Sequence, residues 1–161
     1  MNYSTPLGKQ DACAWGNSLS ISTKVSVEIC RALRNKQYTA AKQFLNNVLQ
    51  YKEPVPYLRY KHNIGHRRGP IGAGRYPQKA SKDILSILES AAANAANKGL
   101  AVGNLIIKHI SAHRGPRIMR QGRNYRRAKR THIEIILTEQ KQEKKPAVKE
   151  TKKDIQKEAK T

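Results

Sequence analysis

Apolar side chains recur at the spacing of an α-helix in three stretches of the chain. The first stretch predicts a helix over residues 23–34 with Ser22 as its N-cap, and the second predicts a helix over residues 39–51. The third follows Pro77, which suits the first position of a helix, and ends before Gly99, the expected residue just beyond a helix C-terminus. The pattern therefore predicts three amphipathic helices.

Three other stretches have the composition of strands. Residues 12–21 look like an extended edge strand, and residues 104–113 and 131–137 alternate in the two-residue period of a sheet. In the last strand this alternation places Ile133, Ile135 and Leu137 on one face. In the strand before it, one face receives Leu105, Ile107, His109, Ser111 and His113, and the other receives Ile106, Lys108, Ile110 and Ala112.

The order of these elements predicts the fold class. One strand precedes the three helices, and two long strands follow them as an antiparallel hairpin. This order is typical of an α+β sandwich, in which helices cover one face of an antiparallel sheet. Residues 52–76 contain four glycines, three prolines and no helical period, so we expect a long basic loop there.

Charge narrows the possible functions. The chain of 161 residues carries a formal net charge of +21. Repulsion between so many like charges opposes a compact fold unless a partner neutralises them. Residues 54–82 and 90–133 contain no acidic residue, whereas an ordinary solvated surface mixes both signs. The distribution predicts a polyanionic partner, with nucleic acid as the leading candidate.

The segment GPRIMRQGRNYRRAKRT, residues 115–131, forms the distal part of the predicted hairpin. Seven of its seventeen residues are Arg or Lys. It has too few large apolar residues to cover a core, so we expect it to project from the domain as a basic arm. A bare hairpin is unstable in water, whereas folded RNA supplies negative charge and packing together, and Arg can bridge phosphates and stack on bases.

The C-terminal tail has a different composition. Residues 140–161 alternate charges and have almost no large apolar side chains, so we expect this Lys/Glu-rich tail to be flexible. The sequence thus predicts one domain over residues 1–139, which includes the loop of residues 52–76 and an extended hairpin of residues 104–138. No apolar run approaches the roughly 20 residues that span a bilayer, so no membrane partner is expected.

Other chemistries lack the residues that they need. The glycines of GPIGAGRYP are not followed by the GK[ST] of a phosphate-binding loop. His109, His113 and His132 could approach a metal ion, but no Cys or carboxylate clearly completes a tetrahedral set, so phosphate contact or packing is favoured. The acidic residues are scattered and no base is placed for a nucleophile. We therefore expect no enzyme, no catalytic residues, no metal and no cofactor.

Two other classes of basic protein stay open. A DNA-compacting architectural protein also uses basic arms, and preference for folded RNA over duplex DNA at matched salt would discriminate the two. A membrane-active cationic protein needs a basic amphipathic helix, whereas the charge here lies on a hairpin and a loop. Binding to acidic liposomes would test that reading.

Several motifs resemble a known family. The stretches STKVSVEICRALRNKQYTAAKQFL, GRYPQKASKDILSILESAAANAANKG and IIKHISAHRGPR…THIEIIL are similar to the universal large-subunit ribosomal protein family L-twenty-two. The loop PVPYLRYKHNIGHRRG…GRYPQKA resembles the form of archaea and eukaryotes, called L-seventeen in eukaryotes. The resemblance covers about residues 1–139 and implies three helices on a three-stranded antiparallel sheet with a long hairpin.

The resemblance also implies a function. It implies a structural constituent of the large subunit of cytoplasmic ribosomes that supports assembly, with its globular part near the polypeptide exit and its hairpin lining the exit tunnel. The implied partners are large-subunit ribosomal RNA, neighbouring ribosomal proteins and the nascent polypeptide, and no homo-oligomer is expected. Family hairpins commonly carry a Pro-Arg-Ala-x-Gly-Arg-like run. Here MRQGRNYRRAK replaces it, which indicates a shorter hairpin whose reach into the tunnel stays open.

The predicted RNA-binding residues form two patches. The loop patch, which ends at a helix N-terminus that itself favours phosphate, comprises Arg59, Lys61, Arg67, Arg68, Arg75, Lys79 and Lys82. The arm patch comprises Arg114, Arg117, Arg120, Arg123, Arg126, Arg127, Lys129 and Arg130. By resemblance, the tunnel-facing tip is Ile118, Met119, Arg120, Gln121, Gly122, Arg123, Asn124 and Tyr125. Trp15, Tyr57, Tyr60 and Tyr76 are candidates for stacking on bases or, equally, for packing in the domain.

Overall fold

The computed structural model describes residues 3–8, 10–69, 71–123 and 125–140. Helices and antiparallel strands are both present, so the predicted α+β class is confirmed. In chain order the elements are β1 (Asp11–Leu19), α1 (Thr23–Leu33), α2 (Tyr38–Leu49), β2 (Val55–Pro56), β3 (Gly74–Arg75), α3 (Gln78–Asn97), a 3-10 turn (Val102–Asn104), β4 (Leu105–Arg114), β5 (Ile118–Arg120), β6 (Arg126–Ala128) and β7 (Thr131–Glu139).

The main sheet has three antiparallel strands in the order β1-β7-β4. The last strand therefore lies in the centre, and β1 is an edge strand as predicted. Ile133, Ile135 and Leu137 of β7 are fully buried in the core, which confirms their predicted common face. Since β7 bonds to both neighbours, its backbone groups are satisfied on both sides along much of its length.

A β-bulge in β4 overturns part of the predicted alternation. The register passes from Ile107 opposite Leu137 to His109 opposite Ile136, so Lys108 is an extra residue in this strand. Before the bulge the odd-numbered residues of β4 face the core, and after it the even-numbered residues do. Ile110 therefore joins Ile107 in the core instead of facing away from it. The assignment of His109 to the face of Ile107 was wrong because a two-residue period carries no signal for an inserted residue.

The helices form a second layer on one face of the sheet. Helix α3 packs on β1 and β7, α1 packs on β4, and α2 packs on α3. Their apolar stripes meet the sheet in a single core, as their helical spacing predicts. Fully buried side chains of this layer include Ile29, Leu33, Leu45, Ile84 and Leu88.

The helix ends agree with the sequence signals in most respects. Ser22 is the N-cap of α1, although its side chain makes no capping hydrogen bond. Gly99 follows α3 with a φ of 75°, the left-handed conformation that glycine adopts without strain. Pro77 is the N-cap of α3 and not its first residue, so that prediction was wrong by one position. The helix begins at Gln78 because the ψ of Pro77 is 75°, outside the helical region.

Both outer edges of the sheet are partly covered. Beside β4, the Asn35 N–H donates to the Ile107 carbonyl at 3.2 Å, and the Ile107 N–H donates to the Lys36 carbonyl at 3.0 Å. Beside β1, the Asn94 side-chain amide donates to the Cys13 carbonyl at 2.9 Å. Such contacts reduce the free strand edge that another chain could pair with.

A buried carboxylate holds the N-terminal segment against the outer sheet face. Glu134 on β7 has almost no exposed side-chain surface, and the Nε2 atoms of His109 and His113 both lie 3.0 Å from its Oε1. The Ser4 N–H donates to Oε2 at 3.1 Å. Burial alone would raise the pKa of Glu134, but hydrogen bonds from Ser111, Ser4 and His113 outweigh it and hold that pKa well below its usual range.

We expect Glu134→Gln to destabilise the fold by about 1–3 kcal/mol at neutral pH, because it removes hydrogen bonds to a buried charge. Because the pKa of Glu134 is depressed in the folded protein, its carboxylate stabilises the fold fully above the pKa of glutamate in the unfolded chain, about 4.3. This stabilisation is lost as the pH falls below that value. The difference between variant and parent in urea unfolding should therefore shrink between about pH 7 and pH 3.5.

Glu89→Gln is the matched control, because Glu89 pairs with Lys42 at 2.9 Å while about half exposed. It should change stability by less than about 1 kcal/mol. A Glu134→Gln penalty that stays constant over this pH range would contradict the role of the carboxylate charge.

Gly16 of β1 lies directly against Ile87 of helix α3. A Cβ at this position would lie 2.2 Å from Cδ1 of Ile87 and 3.0 Å from Cδ1 of Leu19. Both contacts are with side chains in the packed interface of helix and sheet, where a displaced methyl group has little room. Glycine therefore sets the distance between the two layers at this crossing.

We expect Gly16→Ala to destabilise the protein by about 1–3 kcal/mol through overpacking. Ile87→Val removes the clashing Cδ1 and alone should cost about 0.5–1.5 kcal/mol. The double variant should be more stable than the sum of the two changes by about 1 kcal/mol, measured by denaturant unfolding. Gly103→Ala is the control, since a Cβ there meets no heavy atom within 4 Å. Strict additivity would contradict the predicted contact.

Candidate nucleic-acid interface

The basic loop of residues 52–76 has more structure than its composition predicts. Its two ends pair as strands, with Val55 opposite Arg75 and Pro56 opposite Gly74. A further bridge joins His66 to Ala73. Five of the seven residues of the loop patch therefore lie on an irregular hairpin whose two ends are paired.

Glu28 of α1 anchors this hairpin. Its buried carboxylate accepts hydrogen bonds from three consecutive backbone N–H groups, those of Leu58 at 3.2 Å, Arg59 at 2.9 Å and Tyr60 at 2.8 Å. Sequence reasoning placed Glu28 only on a helix and missed this role. The available signal was an acidic residue directly beside Ile29 on the apolar stripe of α1, where an unpaired charge would be costly.

The seven residues of the loop patch are all exposed. Arg67 also has a structural contact, because its Nε donates to the Gly74 carbonyl at 3.2 Å and its guanidinium lies 5.3 Å from the Tyr76 ring centre. Arg59 lies 5.5 Å from the Tyr60 ring. Lys79 and Lys82 lie in the first turns of α3, where unsatisfied backbone N–H groups add to their positive potential.

The four aromatic candidates differ in accessibility. Tyr57 is 4% exposed, so it packs in the core and offers no face to a base. Trp15 is half-buried and stacks on His113 with ring centres 6.4 Å apart. Tyr60 and Tyr76 are half-buried beside arginines of the loop patch. Only the last two therefore combine partial exposure with a neighbouring cation of the predicted patches.

The two strands of the arm are in close contact at its root and pair again beyond it. The Gly115 N–H donates to the Arg130 carbonyl at 2.9 Å, and a Cβ on Gly115 would lie 3.0–3.1 Å from Arg130 backbone and side-chain atoms. Beyond this point β5 and β6 pair over three residues each. Every member of the arm patch is exposed except Arg130, which is half-buried and donates from Nη1 to the Ser18 carbonyl at 3.1 Å.

The predicted tip presents apolar side chains to solvent. Ile118 is 50% exposed, Met119 is 52% exposed and Tyr125 is 76% exposed. Arg120, Gln121, Gly122 and Arg123 are exposed as well, whereas Asn124 lies outside the described residues. The arm therefore offers both charge and apolar surface to a partner.

None of the fifteen predicted basic residues forms a salt bridge within the described part of the chain. The ion pairs there use Lys42, Lys108, His109 and His113 instead. The two patches thus carry uncompensated charge at neutral pH. Guanidinium groups in this state can bind phosphates bidentately, which makes a polyanion the ligand that this surface fits.

Two further features of the described residues bear on other functions. They contain no group of three or more His, Cys, Asp or Glu side chains placed to hold a metal ion. The three histidines considered for a metal lie around Trp15 and Glu134. No helix in the same residues is long and apolar enough to cross a membrane.

Comparison with known proteins gives a family for this arrangement. The family model described as Ribosomal protein L22p/L17e matches residues 14–138. A protein of Methanothrix thermoacetophila named large ribosomal subunit protein uL22 is 43% identical over 150 residues, which cover 86% of this chain and 97% of that protein. Proteins of the same name from Methanopyrus kandleri and Methanococcus maripaludis are 43% and 42% identical, over 86% and 81% of this chain and 95% and 91% of their own lengths. The chain therefore belongs to the ribosomal protein L22p/L17e family.

Proposed function

We propose that this ribosomal protein is a structural constituent of the large ribosomal subunit and binds large-subunit RNA through the loop patch and the arm patch. The assignment to the large subunit is supported by the relatives that are named large ribosomal subunit protein. The observation that carries RNA binding is the set of basic side chains with no salt bridge in the described residues. The role is structural and not catalytic.

The two patches differ in rigidity and so in what they contribute. Glu28 and the β2–β3 pairing hold the loop hairpin to the core, and Lys79 and Lys82 lie on α3, so the backbone that carries these cations is placed before RNA arrives. The distal arm has little buried surface, so part of its interaction energy orders the chain on binding. The globular domain thus anchors the protein, and the arm ties together RNA segments that lie apart.

The arm tip is the part that we propose lines the polypeptide exit tunnel. The exposed apolar side chains Ile118, Met119 and Tyr125 support a contact with the nascent polypeptide, since a tunnel wall must face varied sequences. The globular part then lies near the exit, beside neighbouring ribosomal proteins, in ribosomes of the cytoplasm. No membrane contact and no homo-oligomer belong to this proposal.

We also propose the division of the chain made from composition. Residues 1–139 form one domain, and composition sets residues 140–161 apart as a Lys/Glu-rich tail. Gln140 is the last residue that the structure describes, and residues 141–161 lie outside the described residues.

Sedimentation tests the assignment to the large subunit. In a sucrose gradient of native lysate, the chain should run with the large subunit and should stay there after a high-salt wash, because a threaded arm is held by packing as well as by charge. A chain that stays at the top of the gradient would contradict the proposal. Release of the chain at moderate salt would show that it is a loosely bound cationic factor and not a threaded constituent of the subunit.

Salt dependence tests the arm patch. Arg120→Ala with Arg123→Ala should weaken binding to protein-free large-subunit RNA roughly tenfold and lower the log–log salt slope by about 1.4–1.8, because two phosphate contacts are lost. Arg31→Ala with Arg34→Ala removes the same charge from exposed positions of α1 and its C-cap, and should change both quantities much less. Equal effects of the two pairs, or equal affinity for duplex DNA at matched salt, would count against specific RNA recognition.

A further inference from the structure

We propose that a cleft between the arm root and the start of α1 is a discrete binding site for one RNA backbone phosphate, an inference that rests on the proposed function. The cleft has a volume of about 300 Å³. One side of the cleft is lined by the chain from Ser22 to Lys24. The other side is lined by the two strands at the root of the arm, through Arg114 and Arg117 on one strand and residues 127–130 on the other. It therefore lies where the arm leaves the globular domain.

The side chains that line the cleft are of one charge sign. Six of them are basic, and none of the described residues that line it is acidic. These cations come from three separate segments of the chain, so only the fold brings them together. They are Lys24, Arg114, Arg117, Arg127, Lys129 and Arg130. Such convergence is costly unless an anion occupies the space between the cations.

Backbone donors add to this charge. The first N–H groups of a helix have no acceptor within the helix, and the Ser22 side chain makes no capping hydrogen bond to them. The first turn of α1 contains no acidic residue that would neutralise its dipole. A phosphate oxygen at this end of the helix would accept from these N–H groups.

Arg130 has a hydrogen-bond donor that no acceptor satisfies among the described residues. Its Nε is buried and has no hydrogen-bond partner among the described residues, while its Nη1 is held by the Ser18 carbonyl at 3.1 Å. The guanidinium is thus fixed at the cleft with a donor unused. An unsatisfied buried donor is unfavourable, so an acceptor that reached this Nε would stabilise the arrangement.

The cleft continues toward the arm tip, and this favours a phosphodiester chain over a free anion. A second cavity of about 450 Å³ shares Ser22, Arg127 and Lys129 with the first and adds Arg120 and Arg126. An RNA strand with one phosphate in the first cleft can therefore lie along the second. A phosphate bound in the first cleft would neutralise the repulsion between the cations at the arm root. It would also fix the direction in which the arm leaves the domain.

Ser22→Asp tests the site because it should change stability and binding in opposite directions. An aspartate N-cap accepts from the free N–H groups and raises Tm, but its carboxylate occupies the place of the phosphate. We expect affinity for protein-free large-subunit RNA to fall about tenfold, as for the loss of one or two phosphate contacts. Ser22→Asn caps without charge, so it should raise Tm with a much smaller loss of affinity.

Two controls separate the site from general charge effects. Ser86→Asp adds the same charge at an exposed position of α3 and should leave RNA affinity within about twofold. Titration of the labelled parent chain with inorganic phosphate, against chloride at equal ionic strength, should shift the Thr23 and Lys24 amide signals saturably. The same titration of Ser22→Asp should not.

The outcomes distinguish this inference from the proposed function. If the parent chain binds large-subunit RNA and Ser22→Asp binds equally well, the cleft is not an RNA phosphate site, although the proposed function stands. Phosphate-induced shifts with unchanged RNA affinity would make it a site for free anions and overturn the inference. If the parent chain fails to bind the RNA at all, the proposed function itself fails.

Discussion

The antiparallel pairing of β4 with β7 is the constraint on which the rest of the structure depends. Ile107 opposite Leu137 and Ile110 opposite Ile135 are all buried in the hydrophobic core. Beyond the bulge at Lys108, the pairing runs without interruption to Arg114 opposite Thr131, where the arm begins. Core burial therefore sets the position and direction of the most basic segment of the chain.

Three acidic residues in the described part of the chain hold segments of the fold together from buried positions. Asp11, Glu28 and Glu134 are all buried, although burial of an unpaired charge is strongly unfavourable. Each accepts backbone N–H groups from a distant or irregular segment, namely the turn at Gly8, the basic loop and the N-terminal segment at Ser4. Negative charge is thus used where it fixes the chain, and the surface that faces the partner stays positive.

Periodicity was sufficient to predict the elements but not their irregularities. The three helices and the inward face of β7 follow from apolar spacing, because burial of one face is what the spacing encodes, and the edge strand was predicted from its composition. The bulge at Lys108 and the bonds of Glu28 depend on partners 25 or more residues away in sequence. The basic patches were predictable as composition, whereas their convergence with Ser22 at one cleft required the three-dimensional path of the arm.

The like charge of the arm separates folding from assembly. The sheet and helices bury their apolar side chains without help, so the domain can fold while the arm repels itself. At the arm root, Gly115 permits close contact with Arg130, and Ala128 is buried, so strand pairing persists there. From residue 119 to residue 127 the described side chains are all exposed and four of them are arginines, so a polyanion would supply attraction that the arm itself lacks. Under the proposed RNA binding, order would spread from the root toward the tip, because the root is already paired through Gly115 and Arg130.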